Sequence, residues 1–291
     1  MMRKTLVLFL LVYSLSVYLS TAQKLEAYQL FDKNGEKTDF GALVQASALT
    51  EVVLFGELHN NPISHWLQLE LTMALFDRRG EQLMLGMEMF EADDQIIIDE
   101  YFAGIIAERN FRAEARLWNN YNTDIRPLVE FARENGLKLV ASNIPRRYAA
   151  LVNREGFEGL EKLSSQALQW VAPLPVPYDP DLPGYKAMLE MEGLPAHTSA
   201  NFPKAQAIKD ATMAHFILEN LGEENSMIHF HGAYHSNNYE GILWYLQQRE
   251  PEIKIVTIST VEQSQVETLD ADNKGIADFI IVVPQTMTKT Y

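Results

Sequence analysis

The sequence contains no cysteine. That absence removes disulfides, cysteine-ligated zinc, iron–sulfur clusters, thiolate haem ligands and cysteine nucleophiles. Any metal would have to be held by histidine, carboxylate, tyrosine or methionine. Basic residues are scarce too: 24 Lys and Arg stand against 39 Asp and Glu, a formal net charge of −15. Affinity for a phosphate backbone comes from basic surface, so nucleic acid is excluded as an expected partner. Beyond the first residues no apolar run reaches the ~20 residues of a membrane-spanning helix. What remains is a chain of 291 residues, 47% hydrophobic, long enough to bury a large core without covalent staples.

The one hydrophobic run of note opens the chain. Arg3 and Lys4 precede an apolar block from Leu6 to Leu19, and Ser20-Thr21-Ala22 supplies small residues where a signal peptidase cuts. Residues 1–22 therefore read as a secretory signal peptide, leaving 23–291 as the exported domain. With no cysteine to acylate, the exported chain is not expected to be a lipoprotein.

Tyr28 to Phe40 reads as a hairpin around Asn34-Gly35, followed by a short helix. From Glu51 onward short apolar runs alternate with helical stretches: Val52 to Phe55, Leu83 to Met87, Leu137 to Ala141, Met227 to Phe230 and Lys254 to Ile258. Runs without polar alternation suit strands covered on both faces, and helical connections between them suit a parallel sheet. The fold class expected is α/β, a mostly parallel sheet flanked by helices, with a helical subdomain inserted at about 145–221. One helix should run from Asn61-Pro62 to Gly80 and another from Phe202 to Leu221. Ala172 to Tyr185 holds five prolines and is expected to form no regular element. Phe279 to Val283 reads as a last strand at a sheet edge.

Polar side chains gather just past the strand candidates. Glu57 and His59 follow the first, Glu88 the second, Asn143 and Arg146 the third, His231 and His235 the fourth. In a parallel sheet these positions share one rim, where open α/β sheets bind their ligands. The Gly-x-x-His spacing of Gly56 to His59 recurs from Gly232 to His235. His65 could face the crevice or solvent; His197, His215 and His229 read as structural or surface residues.

These segments carry a resemblance. Val53-Leu-Phe-Gly-Glu-Leu-His-Asn-Asn-Pro-Ile-Ser-His65, Gly86-Met-Glu-Met-Phe90, Ala141-Ser-Asn-Ile-Pro-Arg146, Lys209-Asp-Ala-Thr-Met-Ala214 and Gly232-Ala-Tyr-His235 occur in the order typical of ChaN-like haem-binding uptake proteins of the Tiki superfamily. The resemblance implies export to the periplasm or cell surface and a role in haem or iron acquisition. It also implies a homodimer holding haem through tyrosine. Tyr121, Tyr148 and Tyr234 are the candidates near the motifs. The wider superfamily looks similar to metal-dependent peptidases and erythromycin esterases, which implies a second reading, a metal-dependent hydrolase. In that reading Glu57, His59, Glu88 and His235 bind a divalent ion and Arg146 assists. Where the family often has a further glycine, this chain has Tyr234.

Overall fold

The computed structural model describes residues 25–190 and 200–291. The signal-peptide segment 1–22 and His197 lie outside the described residues. Among the described residues eight strands form one mixed sheet: β1 (Gln29–Asp32), β2 (Lys37–Thr38), β3 (Val52–Glu57), β4 (Leu83–Glu91), β5 (Lys138–Asn143), β6 (Ser226–Gly232), β7 (Ile255–Gln263) and β8 (Phe279–Pro284). Their order is β2-β1-β8-β7-β3-β6-β4-β5. The six strands from β8 to β5 pair in parallel, while β1 lies antiparallel to both β2 and β8.

Among the described residues ten α-helices cover the sheet: α1 (Phe40–Ser47), α2 (Pro62–Arg79), α3 (Gln95–Phe102), α4 (Glu108–Glu114), α5 (Arg126–Glu134), α6 (Arg146–Glu155), α7 (Ser165–Leu168), α8 (Pro183–Glu190), α9 (Phe202–Asn220) and α10 (Ile242–Arg249). Every residue of β3, β4 and β6 is buried, as strands sandwiched between helical layers must be. Alternate residues sort to two cores. Val53, Phe55, Ile228 and Phe230 pack with α2 to α5 on one face, and Val52, Leu54, Met84 and Met227 pack with α6, α9 and α10 on the other.

The chemistry of the punctuation residues fixes the boundaries. Asn61 accepts bonds from Ile63 N and Ser64 N, Pro62 opens α2, and Gly80 ends it at φ 56. Gly35 turns the β1–β2 hairpin at φ 85. At the edge, Gln95 donates to Leu139 O at 2.9 Å and accepts from Ala141 N at 2.7 Å, so one amide side chain stands in for a missing neighbour of β5.

Two expectations need correction. Strand β8 is not at an edge: the hairpin returns to pair with it, register Leu30 to Ile281, leaving β2 and β5 outermost. The proline-rich stretch is irregular only to Leu182, because Pro183 sits in the first turn of α8, where its missing N–H costs nothing. Between β5 and β6, α6 and α9 share the sheet's core. Tyr185 and Met188 of α8 join Ala207 in a small cluster of their own.

Candidate functional site

Two carboxylate–histidine groups meet at the carboxyl ends of the parallel strands, one from each face of the sheet. On the α2 face Glu57 ends β3, with its side chain fully buried. It accepts from Gln68 Nε2 at 2.5 Å and bonds His59 Nδ1 at 2.9 Å. Behind it His65 bonds Gln68 at 3.0 Å and the carbonyl of His59 at 3.1 Å. Asn120 also donates to that carbonyl, at 2.8 Å. Such an arrangement locks the loop that carries His59, whose ring stands edge-on to Trp118 with centroids 4.9 Å apart. The His59 side chain is 36% exposed, enough to meet a ligand. Burial opposes its protonation, but the bond to Glu57 and the charge of Glu88 outweigh this and hold its pKa above the ordinary value.

On the α9 face His235 is clamped between two acids. Its Nδ1 lies 2.5 Å from Asp210 of α9 and its Nε2 lies 3.3 Å from Glu88 of β4. Burial disfavours the imidazolium, yet these two carboxylates prevail and push the pKa up to about 10. Glu88 is buried, which favours its neutral acid; the His235 charge, their bond, His59 and the N–H of Gly232 together hold it well below the usual carboxylate range. Tyr185 donates to Asp210 at 2.7 Å, extending the chain of bonds to α8. Gly232 lets the two groups approach: a Cβ there would lie 2.7 Å from His59 Nε2.

A cavity of about 760 Å³ opens over these residues. His59, Glu88 and His235 line it together with Arg146, Lys209 and Tyr234; Leu117, Trp118, Ile144, Met188 and Phe202 give it apolar walls. The volume is that of a small-molecule site. Glu57 lies beneath His59 and acts only through it. Arg146 Nε donates to Glu91, a bond that ties the start of α6 to β4. Asn143 lines the cavity and donates to Glu88 O at 3.0 Å.

The strands run past the ends expected from the sequence, so Glu88 and His231 lie inside β4 and β6 rather than after them. His231 points away from the cavity into the α9-side core. It meets His229 Nδ1 to Nδ1 at 3.0 Å, and the two end on Ser236 at 2.8 Å and Ser142 at 2.7 Å. His65 is buried, while His215 lies half-buried against Arg249.

Of the three candidate tyrosines only Tyr234 lines the cavity, its hydroxyl donating to Gly184 O at 2.5 Å. Tyr121 is buried against Phe111 in the α2-side core, and Tyr148 sits under the Arg147 guanidinium on α6. Neither lines the cavity. Tyr291 does, and sequence reasoning passed over it. Asp210 was passed over as well; its signal was an acid among the buried Ala207, Ile208, Ala211 and Met213 of α9.

The donor set does not fit a metal cage. Both oxygens of Glu57 and both ring nitrogens of His235 are already bonded within the protein. Among the described residues no three His, Asp or Glu side chains are grouped to hold an ion.

The chain is thus an α/β protein whose mostly parallel sheet carries a ligand-sized cavity at the carboxyl ends of its strands, the place where open α/β sheets bind their ligands. The family profile described as "Haem-binding uptake, Tiki superfamily, ChaN" matches residues 43–246, and the chain belongs to that family. Among solved structures it is similar to ChaN of Campylobacter jejuni, described with cofacial haem, at 15% identity, TM-score 0.65, covering 88% of this chain and 96% of that one. A succinoglycan biosynthesis protein shares the fold at 12% identity, TM-score 0.50, with 86% and 94% covered. Erythromycin esterase EreC aligns more loosely, at 11% identity and TM-score 0.47, over 89% of this chain and 83% of that one. No curated protein matches the chain.

Proposed function

We propose that this protein binds haem at the rim cavity and acts, after export, in haem or iron acquisition. The observation that carries the reading is the cavity itself, in a chain of the haem-binding uptake family. It combines a small-molecule volume and apolar walls with tyrosine oxygens for iron and cations for acidic side groups. Bound haem would supply the iron chemistry. The chain's own part is to enclose the ring between Trp118, Phe202 and Met188 and to present Tyr234 or Tyr291. Tyr234 would have to leave Gly184 O to bind iron. The Asp210–His235–Glu88 clamp holds the floor of the site rigid. Export through cleavage after Ala22 and a homodimer belong to the same proposal; among the described residues no helix is long and apolar enough to cross a membrane.

Haem titration tests it. A saturable Soret shift is expected, altered by Tyr234→Phe or Tyr291→Phe and left in place by Tyr121→Phe and Tyr148→Phe. Titration without saturation would overturn the haem assignment. One observation favours a second reading as a hydrolase: His59, accessible and backed by the buried Glu57, is built like a general base. Ester or peptide hydrolysis abolished by His59→Ala, with haem binding retained, would establish that activity.

A further inference from the structure

The cavity wall beside His59 has no helix or strand to hold it. After α4 the chain runs irregularly from Ala115 to Asn120 and lends the cavity Leu117, Trp118 and Asn119. The far end of this span is fixed by Asn120, which donates to the His59 carbonyl and to Asp124. The near end hangs on one side chain. The Arg116 guanidinium meets three carboxylates where β4 ends: Glu91 at 2.9 Å, Asp94 at 2.8 Å, and Asp93. Its backbone N–H also donates to Asp94, at 3.4 Å.

Glu91 and Asp94 are buried, and a buried carboxylate without a cation is costly. Two further arginines serve the cluster, Arg146 on Glu91 and Arg147 on Asp93. Among the described residues Asp94 pairs with Arg116 alone. Burial pushes its pKa up to about 6 against the pull of Arg116, and the charges of Asp93 and Glu91 add to the rise. A planar fork of five N–H donors can engage three carboxylates at once, which an ammonium cannot. The grip lies two residues from Trp118, whose ring stands edge-on to His59.

We propose that Arg116 is a positioning residue for the rim cavity: gripping the three acids at the end of β4, it holds Leu117 and Trp118 against His59 and so sets the width of the apolar wall. Only the enclosure of haem rests on the haem reading; the placement of Trp118 does not.

The test separates holding the wall from holding the fold. In the full chain carrying Arg116→Met and Asp94→Asn, the acid that would lose its partner is neutralised along with its cation. The urea midpoint should then stay close to wild type while the wall is released. The His59 ring proton between the two nitrogens, displaced in the NMR spectrum by the Trp118 ring, should move to its position in Trp118→Leu. Haem should leave the double variant up to about tenfold faster, the worth of one aromatic contact. Arg116→Lys keeps the charge without the fork, so it should fold as wild type and still move the proton; it decides the matter if the double variant does not fold. A wild-type His59 resonance in the folded variants overturns the positioning role. A moved resonance with an unchanged haem off-rate overturns the wall's part in enclosing the ligand. If no porphyrin binds, the haem reading fails and the resonance alone decides on Arg116.

Discussion

Between positions 229 and 235 the chain holds three buried histidines in opposite states. His235 has acids on both ring nitrogens and is an imidazolium. His229 and His231 are just as buried, but meet only each other and two serines. Burial pushes the pKa of His229 down to about 3 and holds His231 well below its usual value. Hydrogen counting then fixes their tautomers. Ser142 spends its hydrogen on Met87 O, so it must accept from His229 Nε2. His229 Nδ1 accepts from His231 Nδ1, and Ser236 donates to His231 Nε2. Burial sets the same penalty for all three rings, and the partners decide which of them carries charge.

The hardest blow to the comparison is Glu88→Gln, which removes one acid from His235 and strips Gly232 N–H of its carboxylate. Breaking a buried ion pair costs about 3–5 kcal/mol. Urea unfolding should show such a loss, and NMR of His235 should show its pKa falling from about 10. A loss under about 1 kcal/mol would mean that the clamp is not an ion pair.

Acid separates the two kinds of histidine next. For His229 and His231 the folded pKa is depressed. Their contribution is therefore complete above the ordinary value of 6.5 and is lost as the pH falls toward about 3 for His229. Each adds a slope of up to about 1.4 kcal/mol per pH unit. Glu88, which favours protonation of both, and His235, which opposes it, are the charges that face them. His235 has the reverse sign: its contribution is full below pH 6.5 and disappears only as pH rises through about 10. Urea midpoints from pH 7 to 5, wild type against His229→Gln, should differ in slope. Parallel lines would refute the neutral assignment.

Glycine substitutions give the finest reading. At Gly86 a Cβ would meet His229 Cδ2 at 2.5 Å and Met227 Sδ at 2.8 Å in a closed core, so Gly86→Ala should cost about 1–3 kcal/mol. At Gly232 it would press on His59, a ring with room to swing toward solvent. Gly232→Ala should therefore cost less in thermal unfolding and show itself in the titration of His59 instead. Equal destabilisation by both would erase the distinction between core and rim.

Much of this could be read before any fold was known. Asn61, Pro62 and Gly80 announce the ends of α2 because caps are local chemistry, and unbroken apolar runs announce buried parallel strands. The rim position of His59 and His235 follows from strand ends. What escaped was set by distant partners. Nothing near Asp210 in sequence names His235, nothing near Tyr185 names Asp210, and the inner place of β8 depends on a hairpin at the other end of the chain. His231 was misplaced for a smaller reason: β6 runs two residues past its apolar core, and that extension carries the ring to the α9 face instead of the cavity.

The pairing of β1 with β8 also bears on the order in which the protein can assemble. Leu30 is made long before its partner Ile281. During synthesis the hairpin has only its own two-stranded pairing until β8 has been made, and two strands alone are marginal in water. Closing so long a loop is paid in entropy before the contact returns anything, which makes this step slow and late. The parallel strands β3 to β7 can pair without the hairpin, and the sheet acquires its β2 edge only once β8 is in place.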